Sequence, residues 1–161
     1  MTEADTGIAT FICAAAEASP NGELLVVPQW QRANWETLFS YAQHVKVRRG
    51  DVLIRQDSPE RALYFVASGL LEVTSVVGNL SLSAIARFHP GSVVGELSFL
   101  DGQARSAEVR AVADSDLYRL DFRDYQDFAG AHPSKACDLV FAVGRVVALR
   151  LRRTMSNIGR Q

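Results

Sequence analysis

The sequence is poor in the residues that build metal centres and disulfide frameworks. Its 161 residues include two cysteines, Cys13 and Cys137, far apart and each in an apolar neighbourhood, where a thiol reads as a small buried hydrophobe. The three histidines, His44, His89 and His132, follow no H-x-H or H-E-x-x-H spacing, so neither a zinc site nor an iron–sulfur site nor any metal cofactor is expected. No apolar run approaches the ~20 residues that span a bilayer. The stretch from Ile8 to Ala18 follows acidic Glu3 and Asp5 instead of a basic region, which argues against a secretory signal, and a cytoplasmic protein is expected. A surplus of charge is also missing. Seventeen Lys and Arg meet eighteen Asp and Glu, for a formal net charge of -1, so no overall field advertises a polyanionic partner. Internal repeats and low-complexity tracts are absent.

What is present is an ordinary globular composition, 48% apolar and 22% charged, at a length that suits one domain with a real core. Residues 1–25 read as an N-terminal extension with a helix over 7–18 that stops at Ser19-Pro20-Asn21-Gly22. Residues 26–161 read as the domain itself. A helix is expected at about 30–44, where Trp30 and Trp35 serve as packing anchors. Strand character fills about 45–121. Val45-Lys46-Val47 alternates, Leu63 to Ala67 and Leu70 to Val76 flank Ser68-Gly69, Val77-Gly78-Asn79 offers a hairpin, and Ala107 to Val112 and Leu117 to Leu120 complete the set. Many short strands at regular spacing predict a sandwich or barrel. Helices return over about 122–158: Asp121 is expected to cap the first, Gly130 to end it, and Pro133 to open a long last helix. On that helix Val140, Val143, Val147 and Leu151 are expected to cover the strands. Val146 and Leu149 extend the apolar surface beyond one face, which suggests a partner helix and a homodimer, with one-sided docking of the helix on the domain as the alternative.

The segment with chemical content runs from Val94 to Ala107. Glycines at 91, 95 and 102 permit close backbone approach, and Glu96 to Leu100 is long enough for one helical turn with free amides. Arg105 can grip two oxygens of a phosphate with paired, charge-assisted hydrogen bonds, Ser106 adds a hydroxyl, and the Glu96 carboxylate can accept a hydrogen bond from a sugar hydroxyl. The set reads as a ribose- and phosphate-binding loop. Glu96 and Arg105 alone would be read as an ordinary ion pair, and Gly91 after Pro90 as a plain turn residue.

Gly95-Glu96-Leu97 followed by Arg105-Ser106-Ala107 resembles the phosphate-binding cassette of cyclic-nucleotide-binding domains, the family of the bacterial catabolite activator protein and the regulatory subunits of cAMP-dependent kinase. Arg49 to Ile54 and Tyr64 to Val73 resemble its early strands, and Ala148 to Arg153 its hinge helix, so the resemblance spans about residues 40–158. It implies a mainly β fold, a double-stranded β-helix or jelly-roll-like β-roll, with N-terminal helices and a long C-terminal helix. It implies that Glu96 takes the ribose 2′-hydroxyl, Arg105 the exocyclic phosphate oxygens, Ser106 a phosphate oxygen through its hydroxyl, and that Gly95, Leu97 and Ala107 contribute backbone contacts. Arg150 is the candidate base contact. The implied ligand is cAMP or cGMP, with no prosthetic group and no chemical conversion, because no catalytic set is visible.

A winged helix-turn-helix would need about 60 further residues, and the sequence ends at Gln161, so a stand-alone regulatory module without DNA binding is expected. The cluster Arg145, Arg150, Arg152, Arg153 and Arg160 then reads as a solvated face. The competing readings are a structural or dimerisation module of the same fold that binds no nucleotide, and a cupin-like metal-dependent barrel, disfavoured by the histidine inventory. The downstream partner is not named by the sequence.

Overall fold

The structure is a computed structural model that describes residues 3–16, 23–77 and 80–159. Helix α1 (Glu3–Ala16) and α2 (Arg32–Phe39) precede strands β1 (Gln43–Val47), β2 (Val52–Ile54), β3 (Ala62–Ser68), β4 (Leu71–Val77), β5 (Leu80–Phe88) and β6 (Val93–Val94). The short helix α3 (Glu96–Asp101), strands β7 (Glu108–Ala111) and β8 (Ser115–Asp121), and helices α4 (Phe122–Ala131) and α5 (Pro133–Ile158) follow. Among the described residues the strands form two four-stranded antiparallel sheets, β1-β8-β3-β6 and β2-β7-β4-β5. This is the β-roll with flanking helices that the sequence predicts.

Strand β3 explains why its sequence is apolar without interruption. Side chains alternate across a strand, and both faces of β3 are covered. Leu63, Phe65 and Ala67 join the core beneath the helices, with Phe11, Trp35, Phe39, Phe99, Tyr118 and Leu139. Ala62, Tyr64 and Val66 join the core between the sheets, with Ile54, Leu71, Phe88, Val94, Val109 and Leu117. Trp30 and Trp35 are indeed packing anchors, 4.8 Å apart in an edge-to-face pair. Helix α1 belongs to the first core: the Phe11 ring is fully buried against Trp35, Phe39 and Phe65. Its close approach depends on Gly7, where a Cβ would stand 2.6 Å from the Tyr118 hydroxyl.

Several expectations are corrected. The helix expected at about 30–44 is only α2, because Gln43 and His44 pair with Arg119 and Tyr118 as the start of β1. Gly130 does not end α4. It lies inside the helix, which closes at His132 because Pro133 begins the next one. Asp121 is the N-cap of α4 but makes no side-chain cap, since its carboxylate accepts from Arg119 Nη2 at 2.7 Å. Cys13 and Cys137 are exposed rather than buried. The phase of α5 also differs: Ala136, Leu139, Ala142, Val143 and Val146 face the core, whereas Leu151 points outward. The hairpin residues Gly78 and Asn79, the stop at 19–22 and Arg160 lie outside the described residues. Among the described residues no helix is long and apolar enough to cross a membrane.

Candidate functional site

Strand β6 delivers the chain to Gly95, which takes φ +82° as the N-cap of α3. Only glycine suits this point. Besides the left-handed backbone, a Cβ here would lie 2.5 Å from Arg105 Nη1 and 2.9 Å from the Ala62 carbonyl oxygen. That tight fit is the socket of Arg105. Its Nη1 donates to Gly95 O at 2.9 Å and its Nη2 to Ala62 O at 2.7 Å, and the side chain is 2% exposed. The Arg105 backbone is clamped too, donating to Ser58 O and accepting from Asp57 N. The guanidinium therefore has a fixed orientation, and its Nε is buried without a hydrogen-bond partner. A buried, unpartnered donor on a charged group costs free energy unless an acceptor comes to meet it.

Burial pulls the Arg105 guanidinium below its ordinary pKa, and the charges of Glu60, Tyr64 and Glu96 oppose that fall. Glu60 is its ion-pair partner, with Oε2 3.9 Å from Arg105 Nη2, while Oε1 accepts from the Tyr64 hydroxyl and lies 3.2 Å from Arg119 Nη2. Burial, and then the hydrogen bond to Glu60, push the Tyr64 phenol above its usual pKa. For Arg119 the burial penalty is outweighed by Tyr64, Asp121 and Glu60, so its pKa rises. Register explains the grouping: Tyr64 pairs with Val94 on one side and Arg119 on the other, so β3 links the cassette to β8.

Glu96 opens α3 and does not pair with Arg105. Its Oε1 lies 2.7 Å from Nη1 of Arg150 on α5, with both side chains largely buried. The ion pair is close but misaligned, since that Nη1 makes no hydrogen bond by geometry. Arg150 Nη2 instead donates to Val93 O at 2.7 Å, and the guanidinium carbon sits 4.4 Å from the centroid of the Phe88 ring. Arg150, read from the sequence as a base contact, is thus joined to the carboxylate read as the ribose acceptor.

All seven residues singled out in the sequence, Gly95, Glu96, Leu97, Arg105, Ser106, Ala107 and Arg150, line one cavity of about 660 Å³, a size that suits a small ligand. Ile54, Val73, Phe88, Val94 and Val109 supply apolar wall, and Ser75, Thr154 and Asn157 add polar groups. Sequence reasoning missed Phe88, Thr154 and Asn157. The last two had a usable signal, since they lie four and seven residues beyond Arg150 on the same helical face. Glu60 and Tyr64 had none, because only the folded arrangement of β3 and the turn before it brings them behind Arg105. Among the described residues no group of three or more His, Cys, Asp or Glu could hold a metal ion.

The family model described as "Cyclic nucleotide-binding domain" matches residues 44–132. The chain belongs to the cyclic nucleotide-binding domain family. The Pycsar effector protein BcPycTIR of Burkholderia cepacia is 31% identical over 97 residues, which are 60% of this chain and 30% of that protein. A lysophospholipase of Neurospora crassa is 26% identical over 108 residues, 67% of this chain and 7% of the other. The chain thus spans less than a third of the length of these curated relatives. Among solved structures, the catabolite activator protein of Thermus thermophilus is 27% identical with a TM-score of 0.71, covering 82% of this chain and 60% of that one. A cyclic nucleotide-binding domain from Methylobacillus flagellatus, 20% identical, shares the fold at a TM-score of 0.82 over 96% of this chain and 84% of its own.

Proposed function

We propose that this cyclic nucleotide-binding domain takes cAMP or cGMP in the cavity between the β-roll and α5 as a regulatory ligand that it does not convert. The observation that carries the reading is Arg105: a buried, immobilised cation whose Nε has no hydrogen-bond partner, at the wall of a cavity that also holds a carboxylate. An exocyclic phosphate supplies the missing acceptor, and the ribose 2′-hydroxyl supplies a donor for Glu96. Ser106 serves the phosphate through its hydroxyl, while Gly95, Leu97 and Ala107 contribute backbone. The base then meets Arg150, Thr154 and Asn157 along α5. Because Arg150 and the ribose share the Glu96 carboxylate, the ligand changes what holds α5, and the position of that helix is the output. Isothermal titration with cAMP and with cGMP tests the proposal: saturable heat is expected for one or both, and no binding at millimolar ligand overturns it.

A second reading is a dimerisation module of the same fold with no nucleotide, favoured by one observation: Glu96 already has a partner in Arg150. Dimerisation is also compatible with nucleotide binding. The outward residues Phe141, Gly144, Ala148, Leu151, Met155 and Ile158 alternate at spacings of three and four, the period of a coiled-coil seam. A second copy of the chain meets such a seam with the same residues about a twofold axis.

A further inference from the structure

Residues 23–30 lie outside the span of the family match, yet they touch α5 at two separate points. Towards the start of α5, Trp30 Nε1 donates to Asp138 Oδ2 at 3.1 Å. Towards its end, Arg153 Nη1 donates to Glu23 Oε1 at 2.9 Å. The two attachment points are about 22 Å apart along the helix axis, at 1.5 Å per residue. Between them the segment is fixed to the body of the protein: Leu25 and Val27 are buried, and the Leu25 amide donates to Gly91 O at 3.0 Å. Glu23, Leu24 and Arg153 all belong to the cavity wall.

We propose that residues 23–30 form a strap that fastens the C-terminal half of α5 over the cavity, with Glu23 as a positioning residue that acts through Arg153. Beyond Val146 no apolar side chain of α5 is fully buried: Val147 and Leu149 are half-buried and residues 151–158 are all exposed, so apolar packing holds this half of the helix only weakly. Its links to the body are polar, through Arg150 to Glu96 and Val93 and through Arg153 to Glu23. The first link uses the carboxylate that a ribose would also use. The second does not, so a ribose at Glu96 does not compete for it. The strap therefore restrains the same helix at a second point and slows the escape of whatever the cavity holds. Its effect is modest, because the Arg153 side chain is 70% exposed and an exposed pair is screened by solvent and salt.

The inference rests on the nucleotide reading only for the identity of the cavity's occupant, and its test is arranged accordingly. In the full chain without nucleotide, hydrogen exchange of the amides of residues 150–158 is compared among wild type, Glu23→Gln, Arg153→Gln and the charge swap Glu23→Arg/Arg153→Glu. In parallel, the dissociation rate of a fluorescent cAMP analogue is measured for the same four proteins. Each single variant is expected to raise exchange in α5 and to speed dissociation about twofold to fivefold at low ionic strength. The swap is expected to restore both, and the differences should fade near 1 M salt, where the screening length is about 3 Å. Unchanged exchange in both single variants, or a swap that restores nothing, overturns the strap. An analogue that fails to bind counts against the nucleotide reading, while the exchange data still decide the strap.

Discussion

Arg105 is held by two backbone carbonyls and the Glu60 carboxylate, and its Nε is left without a hydrogen-bond partner. Arg105→Ala is expected to weaken cyclic nucleotide binding by more than ~1.5 kcal/mol, over tenfold, the low end for a charged hydrogen bond, as read by titration calorimetry. An unchanged affinity would remove Arg105 from the site. Glu96 calls for a different test, because Arg150 already neutralises it. Wild type should bind a 2′-deoxy analogue less tightly than the parent nucleotide, and Glu96→Ala should lose that discrimination; equal discrimination in both proteins would assign the ribose contact elsewhere. These residues were legible in the sequence because the cassette is local: both halves lie within fourteen residues joined by glycines. Glu60, Tyr64 and Phe88 were not: Tyr64 and Phe88 are placed by strand pairing, and Glu60, just before β3, meets Arg105, Arg119 and Tyr64 only through side-chain contacts in the folded chain.

At the scale of elements, α1 and α5 show how a helix obtains its role from what it packs on. Helix α1 lies against Tyr118, itself buried beneath Phe39, so the ring has little room to yield. Gly7→Val should therefore destabilise the fold by about 1–3 kcal/mol, the range for overpacking, and Phe11→Ala by about 3–5 kcal/mol, both seen as lower midpoints in urea denaturation. A Gly7→Val protein as stable as wild type would show that α1 does not depend on this contact. For α5, Leu151→Glu places a charge in the outward seam without touching the buried face. If two copies pair there, sedimentation should report a dimer for wild type and a monomer for the variant. The sequence period of α5 was plain, but two faces of one helix were apolar, and periodicity alone does not say which meets the body. The structure assigns Val146 inward and Leu151 outward, the reverse of the expectation.

For the whole molecule, ligand binding and proton binding both act on stability through the difference between folded and unfolded states. A nucleotide at one hundred times its dissociation constant should stabilise the fold by about 2.7 kcal/mol and raise the melting temperature by about 5–10 °C. Tyr64 contributes on the alkaline side. Its phenol is held above the value of 10.0 that it has when unfolded, so its contribution is fully present below that pH and declines as the pH rises through the higher folded value. Between wild type and Tyr64→Phe, the stability difference should thus narrow above about pH 10, and a difference that stays constant to pH 11.5 would contradict this. The sequence by itself determined the class of fold, through apolar runs punctuated by turn residues, and singled out the loop from Val94 to Ala107 as the candidate site, through chemistry packed into a short stretch of chain. Only the tertiary structure decided what faces that loop. The charge network behind Arg105, the Arg150–Glu96 pair and the Arg153–Glu23 pair all join residues far apart in the chain. Such contacts leave no local period or spacing, because they arise from sheet register and helix docking.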